Sequence, residues 1–139
     1  MTPEQIKHVQ DSFQRVAPLG DAVAEAFYER LFIIDPELRP MFSGDMAEQA
    51  RKLMSVLTLV VNGLNRLEDL TPAVEALGRR HANYNVRAEH YDTVGQALLG
   101  TLSQGLGNDF TNEVREAWTA AYTLLATVMI DDAAQAKAA

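Results

Sequence analysis

The 139-residue sequence contains no cysteine, which excludes thiolate-bound zinc, iron–sulfur clusters, thiol redox chemistry and the C-x-x-C-H attachment of covalent haem. It is also short of positive charge. Twelve Lys and Arg against nineteen Asp and Glu leave a net charge of −7, so broad electrostatic attraction to nucleic acid or to an anionic membrane is not expected. The longest basic run, Arg79-Arg80 beside His81, is too short to change that. No long apolar stretch is present either: Leu53 to Val61 falls well short of the ~20 residues a membrane span needs. The opening residues lack the basic segment, apolar stretch and small-residue cleavage site of a secretory signal, and the expected location is the cytoplasm.

A chain of this length reads as one domain, residues 1–139, able to bury roughly 70% of its unfolded surface and so to enclose a cavity without covalent staples. Nearly every segment carries helical periodicity, no region alternates convincingly with period two, and no repeat or low-complexity block interrupts the chain. Thr2-Pro3-Glu4-Gln5 offers a capping box with proline at the first helical position, opening a helix that runs to about Val16 and stops at Pro18-Leu19-Gly20. From about Asp21 a second helix carries Ala24, Phe27, Tyr28, Leu31 and Phe32 on one face and ends before Pro36. A short turn of helix, Pro36 to Phe42, leads to a long helix from about Met46 to Arg66 whose inward stripe is Gln49, Leu53, Val56, Leu57, Val60 and Leu64. Leu59 and Val61 lie off that stripe, so burial on more than one side is expected.

Thr71-Pro72 repeats the cap-and-proline device and is expected to open the next helix. After Asn83-Tyr84-Asn85 a helix runs to Gly107 with Tyr91, Val94, Leu98, Leu102 and Leu106 on one face. Thr111 caps a last helix through Val114, Trp118, Tyr122, Leu125 and Met129, and the alanine-rich residues 132–139 are expected to fray. The fold class is all-α, with about seven helices.

Leu70, Val74, Leu77, Gly78 and His81 mark one helix face, and His81 ends that stripe as an interior imidazole. Such a group needs an internal hydrogen bond or a metal centre. Tyr28 and Gln49 are two further polar side chains on inward faces, and burying three of them costs several kcal/mol unless they satisfy one another or a shared ligand. A lone histidine cannot build a tight zinc site, and no second ligand stands at i+3 or i+4 from it. Haem iron needs only one protein ligand on its proximal side, which His81 can supply, and without cysteine the haem would be non-covalent. His8 and His90 fall outside the stripe and carry no assigned chemistry.

The run Asp35-Pro36-Glu37-Leu38-Arg39-Pro40-Met41-Phe42 resembles the C helix and haem-stacking phenylalanine of globins. Phe27-Tyr28, Gln49 with Leu53, and Leu77-Gly78-Arg79-Arg80-His81 are similar to the pattern of bacterial single-domain haemoglobins and of the globin half of flavohaemoglobins. Tyr91 before Gly95-Gln96-Ala97-Leu98-Leu99, and Ala117-Trp118 with Ala121-Tyr122, extend the resemblance over residues 4 to 130.

That resemblance implies a globin fold around haem b, with His81 ligating the iron through Nε2 while Nδ1–H donates to a carbonyl near Leu77 or to another acceptor that fixes the tautomer. Phe42 would stack on the porphyrin; Tyr28 and Gln49 would donate hydrogen bonds to bound O2; Leu53 would close the distal pocket. Leu57 and Leu77 would line the haem site, and Tyr91 would approach the proximal side. Lys52 and Arg80 are candidates for the haem propionates or, equally, solvated surface charges.

Flavohaemoglobins place a glutamate near the end of the last helix beside the proximal histidine and tyrosine. Here Ala133 and Gln135 occupy that neighbourhood, with Asp131 and Asp132 nearby, so a strongly electron-donating proximal ligand is not expected. These residues contain no flavin or nicotinamide module, which on typical domain sizes would take about 250 more. Reversible binding of O2, and of nitric oxide or CO, at a five-coordinate haem is therefore the leading expectation. Nitric oxide dioxygenation with a separate reductase is the second, and a haem-based gas sensor the third.

Overall fold

Thr2 and Gln5 close the expected capping box: the Gln5 amide donates to Thr2 Oγ1 at 3.1 Å and the Thr2 amide to Gln5 Oε1 at 3.0 Å, opening α1 (Pro3–Val16). This computed structural model describes residues 1–42, 45–83 and 88–138, the side chains at 81–83, 88 and 131–138 excepted. Among them every regular element is helical. A 3-10 turn at Ala17–Leu19 leads into α2 (Gly20–Ile34), and a second at Pro36–Met41 into α3 (Met46–Asn62). A third at Leu64–Arg66 precedes α4 (Leu67–Asn83); α5 (Ala88–Leu106), a turn at Gly107–Asp109 and α6 (Asn112–Ala138) complete the chain. Six α-helices and the Pro36–Met41 turn thus make up the expected count near seven.

Proline placement decides two of the boundaries. Asp35 ends α2, its amide donating to the Leu31 carbonyl at 2.9 Å, and its carboxylate then accepts from the Glu37 amide at 3.2 Å to start the Pro36–Met41 turn. Thr71-Pro72 behaves differently from the expectation. α4 begins at Leu67, so Pro72 lies inside it and Thr71 is no cap; its hydroxyl bonds back to the Leu67 carbonyl at 2.9 Å. Burial of Leu70 holds this first turn helical although Pro72 supplies no amide hydrogen. At the other end the α6 backbone stays helical to Ala138, past the point where fraying is expected; alanine is the strongest helix former.

α2 packs on α3 and α5, α4 on α6, and α1 on α6. Trp118 anchors the last contact: its indole N–H donates to Ser12 Oγ at 2.8 Å, and Ser12 donates in turn to the His8 carbonyl at 2.6 Å. Gly78 permits the α4–α6 contact, because a β-carbon there would stand 2.8 Å from the Met129 carbonyl oxygen. Val61 is buried at 2% exposure but Leu59 is 55% exposed, so only one of the two off-stripe residues of α3 adds a second buried side.

Candidate functional site

Tyr28 sits at the centre of an aromatic box built by α2 and the turn after it. Phe27 meets its ring edge-on at 5.1 Å and Phe42 at 5.4 Å, while Phe32, one helical turn along, stacks at 6.1 Å. The i, i+4 spacing on α2 puts Tyr28 and Phe32 on one face, and Pro36 and Pro40 fold the chain back to bring Phe42 against both. The Tyr28 hydroxyl donates to the main-chain oxygen of Gln49 at 3.4 Å, long for an O–H···O bond. Burial pushes the phenol up to about 12, so it remains a protonated donor across the physiological range.

Gln49 lies in the first turn of α3, whose start is fixed by Asp45 accepting from the Ala47 amide at 2.9 Å. Its side chain is half-buried, and its main chain is what touches Tyr28. Along the same stripe Leu53, Val56 and Leu57 are half-buried too, whereas Val60 and Leu64 are fully packed. Lys52 is exposed, 3.9 Å from Glu48 one turn earlier, and Arg80 is exposed; both are placed as surface charges.

On the opposite side Tyr91 is buried in the first turn of α5, and burial raises its phenol. Tyr122 on α6 fixes the backbone there: its hydroxyl donates to the Tyr91 carbonyl, and its ring covers Gly95, where a β-carbon would come within 2.8 Å of it. Burial first, then Tyr91 and Asp92, pushes the Tyr122 phenol up. Leu77 packs with Leu70, Val74, Tyr91 and Met129. His81 stands one turn further along α4; its side chain lies outside the described residues, as do those of Asp131, Asp132, Ala133 and Gln135.

The described residues fit a haem. Tyr28, Phe42, Leu53 and Leu57 belong to the larger apolar cluster, and Leu77 and Tyr91 to a second one. The two clusters meet through Leu67, Tyr122 and Leu125, so these apolar side chains offer a porphyrin continuous apolar surroundings. Leu53, Val56 and Leu57, half-buried on one face of α3, supply apolar surface to such a group, and the long Tyr28–Gln49 contact leaves a donor easily redirected to a ligand.

Two features escaped the sequence reading. His90 is buried at 9% exposure, on the face of α5 that continues through Ala97 and Thr101; that second buried stripe was the available signal. Arg39 joins Phe32, already expected on the inward face of α2, in the wall around Phe42, a contact that the Arg39–Phe42 spacing carries in the sequence.

The Globin family model matches residues 25–129. A flavohaemoprotein from Vibrio cholerae is 35% identical over 134 residues, 94% of this chain but 34% of that protein, so the chain spans about a third of the length of this relative. An uncharacterized globin-like protein from Aquifex aeolicus is 30% identical over 94% of this chain and 92% of its own. Among solved structures, an engineered carbene transferase from Rhodothermus marinus, described as a candidate nitric oxide dioxygenase, superposes with a TM-score of 0.89 at 27% identity, covering 99% of this chain and 96% of that one.

Proposed function

This chain belongs to the globin family, and on that premise we propose that it holds a non-covalent b-type haem on His81 and reversibly binds O2 and related diatomic gases. The observation that carries the reading is the Tyr28 hydroxyl: buried, kept protonated and, among the described residues, committed to a single 3.4 Å contact with a main-chain carbonyl. Held by His81, the haem would supply an iron able to bind a small diatomic gas. Tyr28 donates a hydrogen bond toward that ligand, and Gln49 is the second donor from the start of α3. Hydrogen bonds to developing negative charge count for more in a dry pocket than in water, so the pair favours tight binding and slow release of O2. Phe42 packs on the porphyrin, and Leu53 with Leu57 keeps water from the ligand side. Leu77 and Tyr91 would orient the His81 imidazole, and the exposed Lys52 and Arg80 would be available to pair with the haem propionates. No helix among the described residues is long and apolar enough to cross a membrane, and the reading places the protein in the cytoplasm.

Nitric oxide dioxygenation is the second reading, favoured by the flavohaemoprotein relatives and by the Rhodothermus marinus neighbour. O2 and nitric oxide combine to nitrate with one electron per turnover, which a separate reductase would supply. The visible spectrum of the anaerobically reduced, haem-loaded protein tests the first reading. One broad band between the main visible maxima is expected for an open distal site; two sharp bands would mean that a side chain already fills it, and failure to retain haem would overturn the reading.

A further inference from the structure

We propose that Arg39 is a positioning residue of the distal pocket, clamping Phe42 to Phe32 and thereby fixing the aromatic box that holds the Tyr28 hydroxyl. The clamp has two ends. Arg39 Nη1 donates to the Phe42 carbonyl at 3.1 Å while the Phe42 amide donates to the Arg39 carbonyl at 3.1 Å, so the two residues are closed on each other in both directions. The same guanidinium lies 5.4 Å from the centroid of the Phe32 ring, within the range of a cation–π contact. Phe32 and Phe42 meet edge-on at 5.5 Å, and both rest on Tyr28. One side chain thus links the end of the Pro36–Met41 turn to the face of α2.

Arg39 is exposed, yet its guanidinium is directed to a ring and a carbonyl rather than to a carboxylate. Asp35 and Glu37 stand four and two residues before it, yet among the described residues Arg39 forms no salt bridge. Its planar fork can lie on a ring and still reach a carbonyl, whereas a lysine ammonium cannot do both. The consequence lies in the pocket. Without the clamp, Phe42 and Phe32 can separate, and the Tyr28 hydroxyl, held among the described residues by its long bond to Gln49, samples more than one position over the ligand.

The inference rests on the reading of Tyr28 as the distal donor, and the test separates the two. Arg39→Met, Arg39→Lys and Tyr28→Phe are compared with the parent as haem-loaded carbonmonoxy proteins, by the C–O infrared stretch and by the carbon-13 shifts of the Phe32, Phe42 and Tyr28 rings. Arg39→Met is expected to split or shift the C–O band, move all three ring signals and speed O2 dissociation by about twofold to fivefold, the equivalent of one surface cation–π contact. Arg39→Lys recovers part of each change. A lowered melting temperature with unchanged band, ring shifts and rate would show a merely structural role and overturn the proposal. Ring shifts that move while the band and rate do not would equally overturn it, provided Tyr28→Phe moves the band. If Tyr28→Phe leaves the band unmoved, the distal reading has failed, and the ring shifts alone decide whether Arg39 holds the box.

Discussion

The hydroxyl of Tyr28 reaches the main-chain oxygen of Gln49 across 3.4 Å, joining α2 to the first turn of α3 by a bond too long to be strong. That carbonyl lies within α3, so it does not depend on Tyr28 for a partner. Tyr28→Phe should therefore change stability by less than about 1 kcal/mol. Its effect on the haem-loaded protein should be larger: O2 dissociation is expected to accelerate on the order of tenfold to a hundredfold, the loss of a hydrogen bond to a partly charged ligand. Stopped-flow displacement of O2 by CO measures it, and an unchanged rate would sink this account of the distal side.

At Gly78 the backbones of α4 and α6 lie close together. Adding a methyl group there sets it 2.8 Å from the Met129 carbonyl and 2.9 Å from its α-carbon, main-chain atoms that cannot turn aside. Gly78→Ala should cost about 1–3 kcal/mol in thermal or urea unfolding, the usual penalty of overpacking. Because His81 follows three residues later on the same helix, the variant should also lose haem faster to a scavenging apoprotein. Parental stability in both assays would mean that the helices separate without penalty.

Ser12 and Trp118 form a buried polar pair in an otherwise apolar contact, 2.8 Å apart. Ser12→Ala removes the acceptor and strands a buried indole N–H, at a cost of about 1–3 kcal/mol. Trp118→Phe placed on top of Ser12→Ala should cost less than it does alone, since the stranded donor is then gone. A double-mutant cycle showing simple additivity would count against the pair.

Elements whose signals are local were legible in the sequence. The Thr2–Gln5 capping box, the break before Pro36 and the inward stripe of α2 follow from spacing and backbone chemistry alone. The start of α4 was not, because Thr71-Pro72 carries a genuine cap signal that tertiary burial of Leu70 overrides. In the candidate site, residue types and helix faces brought Tyr28, Phe42, Gln49 and Leu53 to one region. What spacing could not give is which atom of Gln49 meets Tyr28, or that α5 buries a second face through His90; both depend on how neighbouring helices pack.

Alkaline pH should weaken the fold through its buried tyrosines. Burial raises Tyr28 from 10.0 to about 12, and Tyr91 and Tyr122 are raised as well. Between pH 10 and 12 the unfolded chain has lost the Tyr28 proton while the folded one keeps it, so the unfolded state binds fewer protons and stability falls as pH rises. The contribution is fully present below pH 10 and is lost as pH rises through the folded-state value of about 12 for Tyr28. Tyr28 steepens the fall by up to about 1.4 kcal/mol per pH unit inside that window, and Tyr91 and Tyr122 act in the same direction. Urea unfolding at pH 9, 10 and 11 for the parent and Tyr28→Phe isolates one of them, because lysines and arginines titrate alike in both. The variant should lose less stability over that range than the parent, and identical slopes would mean that the Tyr28 phenol ionises in the folded protein as readily as in water.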